Sequence, residues 1–330
     1  MTSGPGEELV SGDAASDDEP APELAVDLSV SLCGVRLPTP ILGASGCFGF
    51  GREMSSYVDL ARIGGVVTKS VSLEPRAGLP TPRMAETASG MLNAIGLQNP
   101  GVEAFCKSDL PFLRDAGARI VVSIVGRTVE DFAAVADRLA SEDAVDLIEL
   151  NLSCPNVDSR GEVFATDPGM AAQVVRAVKP VARQPVLAKL TADVTDLVAV
   201  ARATVEAGAD GLTLINTLLG MAVDVHRRRP KLAAVTGGLS GPAIRPVAVR
   251  CVWQVAQALP EVPIVGLGGV MTGEDAAELL LVGASAVQVG TANFVNPLAT
   301  AEVAEGLAAY LRSQRVASVR ELPTLFKPED

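Results

Sequence analysis

Eight short apolar runs, separated by segments of helical character, set the tightest limit on what this chain can fold into. They are TPILGASG (39–46), GGVVTKS (64–70), RIVVSIVG (119–126), VDLIELNLS (145–153), PVLAKL (185–190), DGLTLINT (210–217), PIVGLGGV (263–270) and AVQVGTA (286–292). Each is apolar on both faces, and such a strand needs cover on both sides, which means a parallel sheet flanked by crossover helices. The segments between predict those helices over Arg52 to Ile63, Thr128 to Ala140 with Thr128 as N-cap, and about Pro168 to Val181. Further helices are expected up to Glu206, over about Pro242 to Leu259, from Gly273, and near Pro297. Residues 71–105, rich in Pro, Gly, Met and Asn, read as a long excursion of the kind that covers an active site, and 218–240 as a long loop. Eight strand–helix units in 330 residues predict an α/β fold of the (β/α)8, or TIM-barrel, class, with active-site loops at the C-terminal face.

Charge and composition narrow the function. Aromatic residues make up 3% of the chain and hydrophobic residues 48%, so the core must be built from Ala, Val, Leu and Ile. A formal charge of -12 argues against binding nucleic acid through its phosphates. Residues 1–27 carry eight carboxylates and no Lys or Arg, so this stretch reads as a disordered acidic tail, with a catalytic domain over 28–330. The tail has neither the charge pattern of a signal peptide nor that of a basic membrane anchor. The most apolar run, from Ala277, is interrupted by Glu278, Gln288 and Asn293, and a cytoplasmic enzyme with no membrane contact is expected. Five cysteines without a CxxC spacing support neither a disulfide framework nor a metal site. A lone histidine, His226, argues against a histidine metal centre or a Ser-His-Asp triad.

Polar residues recur where the apolar runs end. Ser45, Lys69, Ser123, Asn151, Lys189, Asn216, Gly268 and Gly290 all fall at strand ends, where a barrel carries its chemistry. GLGGV (266–270) and VGTAN (289–293) follow the last two strands, where glycines let backbone N–H groups approach a phosphate and Thr291 can add a hydroxyl. No GxGxxG follows the first strand, so a Rossmann dinucleotide site is not expected. Lys189 suits a fixed cation beside the N1/O2 edge of a flavin, or equally a Schiff-base lysine. Cys154, in ELNLSCPNV, is open to four roles: buried filler, metal ligand, redox switch or catalytic base. Cys33, Cys47, Cys106 and Cys251 read as small buried hydrophobes, and Arg227 to Arg229 as solvated surface.

The motifs NLSCPN (151–156), NAIGLQNPG (93–101), INTLLGMAVD (215–224) and GGLSGPAIRP (237–246), together with GLGGV and VGT, resemble the dihydroorotate dehydrogenase family from about residue 28 to 312. The resemblance implies an FMN-dependent barrel that oxidises dihydroorotate to orotate in pyrimidine biosynthesis, with Cys154 taking the C5 proton while FMN accepts the C6 hydride. Cys at this place resembles the class 1 enzymes, and NTLLGMAVD with GGLSGPAIRP resembles class 1B. That class passes electrons to a partner subunit carrying FAD and a [2Fe–2S] cluster, and on to NAD. A homodimer, or a heterotetramer with that partner, is implied. Carried over, Lys69, Asn93, Ala94, Ile95, Gly96, Leu97, Asn151, Asn216 and Thr217 form the orotate-binding set. Ser45, Lys69, Ser70, Ser123, Asn151, Lys189, Ile215, Gly241, Gly268, Gly269, Gly290 and Thr291 form the FMN-binding set. Ser123 departs from the family, which often has Asn there. Three other readings stay open: a fumarate-using class 1A enzyme, a dihydropyrimidine dehydrogenase-like enzyme (whose base motif tends to read CPH where this chain has Asn156), and a phosphate-ligand-binding barrel without redox chemistry.

Overall fold

The computed structural model describes Met1 and residues 24–152 and 166–327. Eight parallel strands close into a barrel: β1 (Ile41–Gly43), β2 (Gly65–Val67), β3 (Ile120–Ile124), β4 (Leu147–Asn151), β5 (Val186–Leu190), β6 (Gly211–Leu214), β7 (Ile264–Leu267) and β8 (Ala286–Val289). They pair in chain order and β8 returns to β1, so no strand is left as an edge. All eight expected strands are therefore present. Nearly every strand residue is buried, because one face fills the barrel and the other lies under helices.

The outer layer consists of α1 (Val102–Asp115), α2 (Val129–Leu139), α3 (Pro168–Val178), α4 (Leu197–Glu206), α5 (Arg245–Ala258), α6 (Gly273–Leu281), α7 (Ala292–Val295) and α8 (Ala299–Ser313). Thr128 caps α2 as expected: its side chain accepts from the Asp131 N–H, and Asp131 reaches back to the Thr128 N–H. Thr272 and Asp275 repeat this box on α6.

α6 crosses α8 so closely that a Cβ added at Gly273 would lie 2.1 Å from backbone atoms of Gly306 and Leu307. No rotamer change can relieve a clash between two backbones. Gly273→Val is expected to destabilise the fold by about 3 kcal/mol, the upper end for overpacking, read as a fall in the thermal or denaturant midpoint. A midpoint equal to that of the parent chain would show that the two helices can separate without loss.

Three segments differ from expectation. Residues 52–63 form successive turns rather than a helix. The Asp59 carboxylate accepts from the Ala61 N–H, a local bond that competes with helical continuation. The excursion 71–105 contains a hairpin, Met84–Thr87 with Gly90–Asn93, and the first turn of α1. The loop over 218–240 likewise contains strands, Leu218–Met221 and Thr236–Ser240, which pair antiparallel with that hairpin into a four-stranded sheet. Gly90 permits the pairing, since a Cβ there would sit 2.0 Å from the Ser240 carbonyl oxygen.

A further hairpin, Val30–Leu32 with Val35–Leu37, turns at Cys33 and Gly34, both at positive φ as a two-residue turn needs. Its Cys33 thiol donates to the Asp210 carbonyl beside the start of β6, which sets the hairpin at the N-terminal end of the barrel. Of the acidic tail, 2–23 lie outside the described residues. Asp27 is tied down by a backbone bond to Ala317 and an ion pair with Arg320 at 2.6 Å. Among the described residues no helix is long and apolar enough to cross a membrane.

Candidate active site

The strand ends converge on a cavity of about 400 Å3 at the C-terminal face of the barrel. Asn151 and Lys189 stand in register on β4 and β5, and Thr213 on β6 stands beside Lys189. Because strand side chains alternate between faces, the last inward position of each strand points to the site. The cavity is lined by Ser45, Lys69, Ser70, Asn93, Asn151, Lys189, Ile215, Asn216 and Thr217 from the strand ends and the antiparallel sheet. Ile95 and Leu97 also line it, as do Gly241, Gly268, Gly269, Gly290 and Thr291.

A chain of hydrogen bonds runs along one wall. The Ser123 and Ser70 hydroxyls are 2.9 Å apart, the Asn151 amide donates to Ser70 Oγ at 3.0 Å, and the Asn216 amide donates to Asn151 Oδ1 at 3.1 Å. Each side chain in the chain fixes the rotamer of the next, so the amides present a set direction to a ligand. Ser123 is fully buried and stands behind Ser70 rather than on the cavity surface. Ala94 and Gly96 likewise do not line it. From the strand next to that of Asn151, Lys189 Nζ donates to Ser45 Oγ at 3.0 Å. The Asn93 amide donates to the Gly238 carbonyl at 3.3 Å, which ties the hairpin over the mouth.

Several lining residues carry no strand-end signal in the sequence. Arg83, Met84, Met91, Gln98 and Ser240 come from the antiparallel sheet and its flanks, and Arg83 Nη1 donates to Gln98 Oε1 at 2.9 Å. Cys47 also lines the cavity and is only half-buried, in contrast to the core role expected for it. Loss of water pushes its thiol up to about 11, against the pull of Lys189 and Lys69, so it stays protonated at neutral pH. Cys106 and Cys251 are buried as expected, while Cys33 is half-buried at the N-terminal hairpin. Cys154 lies outside the described residues.

The electrostatics of the cavity are one-sided. Lys69, Arg83 and Lys189 line it, and no carboxylate does so among the described residues, in a chain whose formal charge is -12. At one end, the N–H groups of Gly269, Gly290 and Thr291 have no acceptor among the described residues. Backbone donors without an acceptor, in a cavity that also carries cationic side chains, are suited to an anion. His226 and Arg227 to Arg229 are exposed and away from this cavity.

Fold and cavity together define an α/β-barrel enzyme with a cationic, amide-rich cavity at the C-terminal end of its strands. Residues 27–311 match the family model described as dihydroorotate dehydrogenase, and the chain belongs to that family. It is 55% identical over 297 residues to the dihydroorotate dehydrogenase B (NAD(+)) catalytic subunit of Alkaliphilus metalliredigens, covering 90% of this chain and 98% of that one. The protein of the same name from Geobacter sulfurreducens is 52% identical over 296 residues, covering 90% and 97%. A crystal structure of the Eimeria tenella enzyme DHODH in complex with ferulenol shares the fold, with a TM-score of 0.78 at 21% identity over 94% of this chain and 91% of that one.

Proposed function

We propose that this chain is the FMN-bearing catalytic subunit of a class 1B dihydroorotate dehydrogenase, oxidising (S)-dihydroorotate to orotate in pyrimidine biosynthesis. Its electrons then pass to a partner subunit with FAD and a [2Fe–2S] cluster, and on to NAD. The observation that carries this reading is a cavity with three cations and no carboxylate among its described lining, in a strongly acidic chain. A carboxylate substrate and a phosphorylated cofactor are both anions that such a cavity would draw in. The names of the two relatives favour the NAD-linked class over the fumarate-using one.

The described residues fit FMN. A volume of about 400 Å3 lies within the range of cofactor pockets. The glycine turns at 268–269 and 290–291 offer unpaired N–H groups to a phosphate, and Ile215, Leu267 and Val270 offer apolar walls to a ring system. Ser45, Lys69, Ser70, Asn151, Lys189, Ile215, Gly241, Gly268, Gly269, Gly290 and Thr291 would hold it, with Ser123 acting through Ser70. When bound, FMN supplies the hydride acceptor.

The chain's own residues bind and orient the substrate and take its proton. Asn93, Asn151, Asn216 and Thr217 offer paired donors and acceptors to the ring amides of dihydroorotate, with the 93–97 backbone beside them. Lys69 would face its carboxylate. Cys154 would remove the C5 proton. It follows Asn151 by three residues, so their Cα atoms are at most about 11 Å apart whatever path the chain takes.

The pH profile tests the base. A free thiol titrates near 8.5 and reacts only as thiolate. Flavin reduction is therefore expected to rise roughly tenfold per pH unit below that value and to level off above it. Cys47, held protonated up to about 11, contributes nothing to this window. A flat profile from pH 6 to 9 in stopped-flow reduction would exclude a titrating thiol as the base. The function itself is tested by anaerobic bleaching of the purified yellow protein with dihydroorotate. Reoxidation by NAD with the partner, and not by fumarate, is expected.

A further inference from the structure

Beneath the cavity floor the barrel interior holds a buried carboxylate. Glu149 stands on β4 two residues before Asn151, so both face inward, and its side chain is 0% exposed. Its Oε2 accepts from Thr213 Oγ1 at 3.0 Å and from Gln288 Nε2 at 2.7 Å, donors that reach it from β6 and β8. Its Oε1 has no hydrogen bond among the described residues and forms an ion pair with the Lys189 ammonium, 3.5 Å away and 5% exposed. Two neutral donors thus pin one oxygen and turn the other toward the lysine. Barrel interiors fill well with branched apolar layers, and burying a carboxylate is unfavourable unless it is paired. Packing alone does not require a charge here. Lys189 lies between this carboxylate and the cavity, which it lines.

We infer that Glu149 is a positioning residue that acts through Lys189, holding its ammonium toward Ser45 and offsetting its charge, and thereby sets the reduction potential of the bound cofactor. The inference rests on the flavin reading above. A fixed cation beside the flavin ring favours the anionic reduced form, and a carboxylate behind that cation weakens the effect. Glu149 touches neither cofactor nor substrate, because it does not line the cavity.

The test is an equilibrium redox titration of the FMN-loaded chain against a reference dye, together with FMN affinity from fluorescence quenching of the apoprotein mixture. Glu149→Gln keeps the shape and removes the charge. It is expected to move the two-electron equilibrium at least about tenfold toward reduced FMN, a rise of about 30 mV, with FMN affinity within about threefold of the parent. Lys189→Gln should move the equilibrium the opposite way. On the Lys189→Gln background, adding Glu149→Gln should change it less than about twofold. Glu149→Asp, which retracts the carboxylate by one methylene, should shift in the same direction as Glu149→Gln and provides the reading if the Gln variant does not fold. An unmoved or lowered potential in these variants, or an equal shift with and without Lys189, would overturn the inference. A parent chain that binds no FMN would instead sink the flavin reading, and this inference with it.

Discussion

Replacing Cys154 with alanine is expected to slow reduction of bound FMN by dihydroorotate roughly 10²- to 10⁴-fold, the range for loss of a general base. That corresponds to about 3 to 5 kcal/mol of barrier. The loss should fall on the chemical step. Asn151, Asn216 and Ser70 would still hold one another through their hydrogen bonds, so FMN content and orotate affinity should stay close to those of the parent. Cys154→Ser should fall between the two, since a hydroxyl can accept the proton only at much greater expense. Cys47 cannot substitute, because burial keeps its thiol protonated at neutral pH. Stopped-flow bleaching under anaerobic conditions measures the step directly. A Cys154→Ala protein that bleaches at near the parent rate would remove the assignment and leave the proton to another group.

The barrel was legible because its strands are apolar on both faces and short, a pattern that few other folds require. The same pattern made Asn151 and Lys189 visible, as polar residues closing apolar runs. It concealed Glu149. That residue sits in the middle of VDLIELNLS, and its meaning depends on Thr213 and Gln288, 64 and 139 residues further along. Only closure of the barrel brings them together. The antiparallel sheet over the mouth was invisible for a different reason. Its strands are half-exposed and rich in Gly and Met, so they read as loop, and with them Arg83, Gln98 and Ser240 were missed. Residues 52–63 failed in the opposite sense: a helical composition there is divided into turns, with the Asp59 side chain bonding locally. Cys47 was misjudged because composition cannot tell a thiol facing a cavity from one facing a core.

Dihydrouracil, which keeps the ring amides of dihydroorotate and lacks its carboxylate, is expected to reduce the flavin with kcat/KM lower by roughly 10⁴-fold or more. The reason is the asymmetry of polar sites: one built for a charged or hydrogen-bonding group rejects an analogue without it, because the site's own groups are then left unpaired. Here the cavity wall carries the cations Lys69, Arg83 and Lys189 and no carboxylate among the described lining residues, so loss of the substrate's carboxylate removes the one group of opposite charge that a ring of this kind would bring to them. The cradle of Asn93, Asn151 and Asn216 would bind either ring, so the discrimination must come from the charge. This comparison also separates the proposed activity from its nearest rival, since a dihydropyrimidine dehydrogenase-like enzyme would accept dihydrouracil and reject dihydroorotate. Lys69→Met should narrow the gap from one side only, lowering the rate with dihydroorotate and leaving that with dihydrouracil nearly unchanged. Equal rates for the two substrates in the parent chain would mean that the cationic wall serves the cofactor alone.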